Sequence, residues 1–137
     1  MESDPIVGFT VYHVAVEELI DVDTFVVGLA EAEVGDGASL LISIALLPYD
    51  EQDRALGQDT YCISTEGGAT VYGGLTRCVL HNNALLLGLT PDAATTLGLP
   101  TQTRFPLTID HATVARLRAG LQRIFSRAAS LPADLIL

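Results

Sequence analysis

The chain has 137 residues, 49% of them hydrophobic and 18% charged, with a formal net charge of −10 and no lysine. That length suffices to bury one core without disulfides or metals, and the composition lies well outside the disordered range. So negative a balance repels nucleic acid and anionic membrane surfaces, and it favours a basic partner.

In chain order, "FTVYHVAVE" (residues 9–17) alternates, with Phe9, Val11, His13 and Ala15 on one side and Tyr12, Val14 and Val16 on the other. "DTFVVGLAEAE" (23–33) is a second strand whose Glu31 and Glu33 point to water. "GDG" (35–37) marks a tight turn, and "ASLLISIALL" (38–47) follows as a largely buried strand. "PYDEQDRALGQ" (48–58) is polar and turn-rich, and reads as an exposed loop. Residues 59–65 and 69–80 pair as a hairpin. "HNN" (81–83) is a turn, because asparagine tolerates left-handed backbone angles, and "ALLLGLT" (84–90) returns as a strand.

The pattern then changes. "TPDAATTLGLP" has Thr90 as N-cap, Pro91 at the first helical position, Asp92 near the positive end and Gly98 as a stop, which predicts a helix of about two turns. "TRFPLTI" (103–109) is a short strand, expected at an edge because of Pro106. Asp110 then caps a helix in which Val114, Leu117, Leu121, Ile124, Phe125 and Ala128 recur at helical spacing. Arg116, Arg118, Arg123 and Arg127 occupy its other positions. The expected fold is therefore α+β: a two-layer sandwich with a mostly antiparallel sheet of six or seven strands, covered by the C-terminal helix, plus one short helix. It forms a single domain over residues 1–137, with 1–8 a loose tail. No apolar run is long enough to span a bilayer, and the acidic start lacks the basic region of a signal peptide, so a cytoplasmic location is expected.

The charge is unevenly placed. Residues 1–76 hold fourteen acidic groups and a single base, Arg54, whereas residues 77–137 hold three acidic groups and six arginines. Solubility explains a net charge, but not its confinement to one half.

No nucleophile elbow, zinc-protease motif, phosphate-binding loop or dinucleotide fingerprint occurs, so no catalytic residue and no cofactor is assigned. His13, His81 and His111 fall in a strand, a turn and a helix start, and their spacing does not ask for a metal. Cys62 and Cys78 form no metal motif and read as reduced, buried apolar side chains. Two acidic clusters stand out: Glu17, Glu18, Asp21 and Asp23 in "EELIDVD", and Asp50, Glu51 and Asp53 in "YDEQD". Each is either a solvated face or a partner-binding surface; acid/base or calcium chemistry would need a pocket and fixed geometry besides.

The stretch "DTYCISTEGGATVYGGL" (59–75) raises the question of a phosphate cradle. Gly67-Gly68 lies between two strand patterns instead of opening onto a helix, and no lysine is available. A two-residue Gly-Gly turn fits a hairpin, with Ile63 opposite Tyr72 and Tyr61 covering Gly74. Gly73-Gly74 is then a bulge or bend.

In their order, "GLAEAE", "LLISIALL", "GQDTYCIS", "TVYGGL", "ALLLGLTPDAATTLGLP" and "LRAGLQRIF" resemble the immunity protein 10 family, predicted immunity proteins of bacterial polymorphic toxin systems. The similarity covers roughly residues 24–126 and leaves the first twenty outside. It implies a non-enzymatic protein that binds and neutralises a cognate toxin domain. No family binding residue is carried over. The charge adds that the partner surface is acidic, comprising Glu17, Glu18, Asp21, Asp23, Asp50, Glu51 and Asp53, and that a basic nuclease would suit it. A second reading is a small-ligand-binding domain or enzyme, with a pocket between sheet and helix lined by Tyr12, Tyr61 or Tyr72. Homodimerisation through a sheet edge is compatible with either.

Overall fold

The computed structural model describes residues 5–32, 37–81 and 83–137. Among them, ten strands form two five-stranded sheets. The acidic half of the chain builds the first, antiparallel throughout: β2 (His13–Leu19), β3 (Thr24–Ala30), β4 (Ser39–Ala45), β5 (Cys62–Thr65) and β6 (Thr70–Tyr72), in that spatial order. The second runs β1 (Ile6–Val7), β9 (Gln102–Pro106), β8 (Ala84–Leu89), β7 (Leu75–Leu80), β10 (Asp134–Ile136), with β1 and β10 parallel to their neighbours. Three helices complete the fold: α1 (Glu51–Ala55), α2 (Pro91–Leu97) and α3 (His111–Arg127). The α+β class is as expected, with more strands, divided between two sheets.

Alternation of side chains across the pleat sends Phe25, Val27, Leu29, Leu40, Ile42 and Ile63 to one face of the first sheet, where all are buried. Helix α3 lies on that face. Its stripe of Val114, Leu117, Leu121, Ile124 and Phe125 is buried, as the spacing predicts, and Asp110 caps it through the Thr113 N–H at 2.7 Å. Phe125 meets Tyr61 edge-to-face at 5.4 Å, and the Arg123 guanidinium sits 4.2 Å above the Phe25 ring. Leu85, Leu87 and Phe105 from the second sheet join the same buried cluster.

Helix α2 follows its sequence signals throughout. The Thr90 hydroxyl accepts from Ala93 N–H, Pro91 opens the helix and Gly98 ends it in the left-handed conformation.

Several local expectations need correction. The hairpin loop has three residues, not two. Thr65 N–H donates to Ala69 O (3.1 Å), only Gly68 of the pair has positive φ (86°), and the register becomes Cys62↔Tyr72 and Ile63↔Val71. Tyr61 is thus not a cover over Gly74; it is a core residue whose hydroxyl accepts from Leu75 N–H at 2.9 Å. Gly73-Gly74 does more than bend a strand. With φ of 70° and 91°, it takes the chain from β6 in one sheet to β7 in the other. Pro106 does not place β9 at an edge: β1 lies along its outer side, and the Pro106 carbonyl accepts from Val11 N–H at 2.8 Å. The stretch expected to be a loose tail therefore contains a short paired strand. Within the segment read as a loop, residues 51–55 form α1. Glu33, most of the turn at 35–37 and Asn82 lie outside the described residues.

Candidate functional site

The two acidic clusters, about thirty residues apart in sequence, meet at one end of the first sheet. A single 3-10 turn at Ile20–Val22 links β2 to β3, and Asp23 closes it with a left-handed φ of 50°. Aspartate is among the few non-glycine residues that visit this region, because its short polar side chain bonds locally. Here its carbonyl accepts from Leu46 N–H (3.1 Å) and its Oδ1 from Leu47 N–H (3.0 Å), which fastens the β4–α1 connection to the β2–β3 turn. Three residues on from Leu47, Asp50 and Asp53 form a reciprocal capping box: Asp53 N–H donates to Asp50 Oδ1 (2.8 Å) and Asp50 N–H to Asp53 Oδ2 (3.1 Å).

The seven carboxylates therefore differ in their local roles. Asp23, Asp50 and Asp53 hold backbone, and Glu18 pairs with the Arg123 guanidinium at 2.7 Å. Glu17, Asp21 and Glu51 are exposed and have no ion pair or hydrogen bond among the described residues. Sequence patterning missed what accompanies them. Ile20 is 76% exposed, Val22 65%, Leu47 64% and Leu56 60%. Large apolar side chains beside turn residues, in "LIDVD" and "LLPYDE", were the available signal. Apolar side chains ringed by charge are the usual make-up of a protein-binding patch.

Beside this patch a cleft of about 220 Å³ opens on the sheet face away from α3. Ser43, Cys62 and Tyr72 line it from one register row across β4, β5 and β6, and Asp23 and Asp53 bring one carboxylate from each cluster. Tyr49 and Thr60 also line it, and the hydroxyl oxygens of both are buried without a hydrogen-bond partner. Burial raises the Tyr49 hydroxyl above its ordinary value, and the nearby Asp59, Asp53 and Tyr72 add to that while Arg127 opposes it.

Neither thiol is poised as a nucleophile. Burial pushes Cys78 up to about 12 and raises Cys62, against which the neighbouring hydroxyls of Ser64, at 3.9 Å from the sulfur, and Ser43 act only in part. Among the described residues, no group of three or more His, Cys, Asp or Glu side chains is placed to hold a metal ion. The three tyrosines proposed for a pocket between sheet and helix do not converge: Tyr61 is core, Tyr12 is exposed, and Tyr72 lies on the opposite face. The groove that does run between β2 and α3 is lined instead by Val16, Glu18, Phe25, Gly120 and Arg123.

The model of the family described as immunity protein 10 matches residues 10–115. The chain belongs to the immunity protein 10 family. The match begins before β2, so the first acidic cluster lies within it, and it ends inside α3. The stretches that carry the family resemblance are corners of the fold: Tyr61 in the core, Gly73-Gly74 at the crossing between sheets, and Thr90–Gly98 around α2. No curated protein and no solved structure matches the chain. An immunity protein implies a toxin as its class of partner, and the family suggests a binder in place of an enzyme. No helix among the described residues is long and apolar enough to cross a membrane.

Proposed function

We propose that this immunity protein neutralises a cognate toxin domain by binding it with the end of the first sheet where the acidic clusters meet. One observation carries the reading: Ile20, Val22 and Leu47 are exposed on either side of the Asp23 link, with Asp21, Glu51 and the capping pair around them. Apolar centres supply affinity on desolvation, and a carboxylate rim supplies association rate and selects basic partners. A nuclease toxin, basic where it meets its substrate, is the partner class that best uses this charge. Glu17, Glu18, Asp21, Asp23, Asp50, Glu51 and Asp53 form the surface; Glu17, Asp21 and Glu51 are the members without an ion pair or hydrogen bond among the described residues, and Asp23, Asp50 and Asp53 shape it.

The test is co-purification with the toxin domain encoded beside the gene, together with rescue of growth in cells that express that toxin. A stable complex and rescue are expected. No complex at micromolar concentrations of both proteins, with no rescue, would refute the reading.

A further inference from the structure

The cleft beside the acidic patch has features that neither charge nor packing explains. Thr60 is only 8% exposed, yet its Oγ1 has no hydrogen-bond partner, and the Tyr49 Oη is buried and unpartnered as well. Leaving a buried hydroxyl unpaired is costly, so two in one cleft point to a group that arrives from outside. Asp23 and Asp53 line the same cleft. Each commits one oxygen to a backbone N–H, Asp23 Oδ1 to Leu47 and Asp53 Oδ2 to Asp50, which leaves Asp23 Oδ2 and Asp53 Oδ1 available. Tyr72, 48% exposed, presents a ring at the same cleft. None of the described lining residues is basic. Arg127, whose charge acts on Tyr49, donates to the Leu47 carbonyl at 3.3 Å.

The occupant must then be a cation with several donors and a flat face. At about 220 Å³ the cleft holds one long side chain; sites for substrate-sized ligands run from roughly 300 to 1,000 Å³. A guanidinium offers five N–H donors in a plane, which suits two carboxylate oxygens and two hydroxyls at once, and its face stacks on tyrosine. An ammonium has three donors and no face to stack.

We propose that this cleft seats one arginine side chain of the protein partner, clamped by Asp23 and Asp53, bonded to Thr60 and Tyr49, and stacked on Tyr72. The assignment rests on reading this end of the sheet as the partner-binding surface.

Nα-acetyl-arginine methylamide, titrated into the full protein and followed by two-dimensional NMR, tests the cleft without any toxin. The amides of Thr60, Cys62 and Tyr72 should shift, with a dissociation constant in the millimolar range. The neutral citrulline analogue should bind about tenfold more weakly or worse. Asp23→Asn, which keeps the acceptor for Leu47 N–H, should abolish the preference for arginine, and Tyr72→Ala, at an exposed position, should weaken binding of the arginine amide several-fold. Equal binding of arginine and citrulline, or shifts that persist undiminished in both variants, overturns the proposal. The same variants separate it from the broader reading. If the toxin binds wild type and both variants equally, the surface stands and the arginine seat falls. If the arginine amide binds as described but the toxin does not, the seat stands and the toxin-binding surface falls.

Discussion

The side chain of Asp23 accepts a hydrogen bond from the backbone N–H of Leu47 at 3.0 Å, and so joins two connections that the chain reaches twenty-four residues apart. This contact makes a single surface out of "EELIDVD" and "YDEQD". It also gives Asp23 two duties, a left-handed φ of 50° and a backbone acceptor. Asp23→Asn keeps both and should cost little. Asp23→Gly relaxes the backbone but loses the acceptor, for a cost of about 1 kcal/mol. Asp23→Ala loses the acceptor and strains the backbone, about 2–3 kcal/mol in all. Urea denaturation of the three variants should give that order; alanine no worse than glycine would show that φ at this position carries no strain.

Replacing Asp50, Glu51 and Asp53 together with serine tests the second cluster. Serine at position 50 can still cap α1, so the stability loss should stay below about 1 kcal/mol, while the loss of Asp53 removes half of the capping box. Toxin association should slow, and its dependence on salt should flatten. Unchanged affinity and unchanged salt dependence would take α1 out of the interface.

The core makes firmer demands. Phe125→Ala empties the space against Tyr61 and should cost about 3–5 kcal/mol. Gly120→Ala is a sharper probe. Alanine favours a helix by about 1 kcal/mol over glycine, but here its Cβ would come within 2.8 Å of Val27 Cγ2 and 3.1 Å of Val16 Cγ1. The overpacking term should win, with a net loss of about 1–2 kcal/mol. A stabilised Gly120→Ala protein would contradict the close seating of α3 on the sheet.

Buried groups set the alkaline behaviour. Burial pushes the Cys78 thiol from its ordinary 9.0 up to about 12, and burial raises the Tyr61 hydroxyl in the same direction. A group with a raised folded-state value contributes stability that is complete below its unfolded value and is lost as pH climbs through the folded one. Urea midpoints should therefore hold up to about pH 9 and decline from there toward pH 12. In native protein at pH 8, iodoacetamide should modify Cys62 before Cys78, since only Cys78 is fully buried. A midpoint that rises between pH 9 and 11, or Cys78 reacting first, would contradict this burial.

Much of this fold was legible because its signals were local. Thr90, Pro91 and Gly98 bracket α2, and the stripe from Val114 to Phe125 marks α3, each by rules that need only near neighbours. The division into two sheets was not legible, since it turns on Gly73-Gly74, and a glycine pair in a strand pattern reads equally as a bulge. Strands β1 and β10, two and three residues long, have too few positions for any period to emerge. The acidic residues were visible one by one. Their convergence was not, because it depends on a side-chain-to-backbone bond between Asp23 and Leu47; Leu47 reads as the end of a buried strand, and Ile20 as part of an acidic stretch.

The most direct test of the proposed surface is the affinity of the toxin domain for wild type, Asp21→Lys and Glu51→Lys, measured by calorimetry at low and high salt. Both positions are exposed and make no ion pair among the described residues, so folding should lose little, at most about 1 kcal/mol for lysine at the positive start of α1. Each reversal should weaken binding by about tenfold at low salt, with the difference shrinking as salt rises. Wild-type affinity in both variants at low salt would contradict the acidic end of the sheet as the toxin-binding surface.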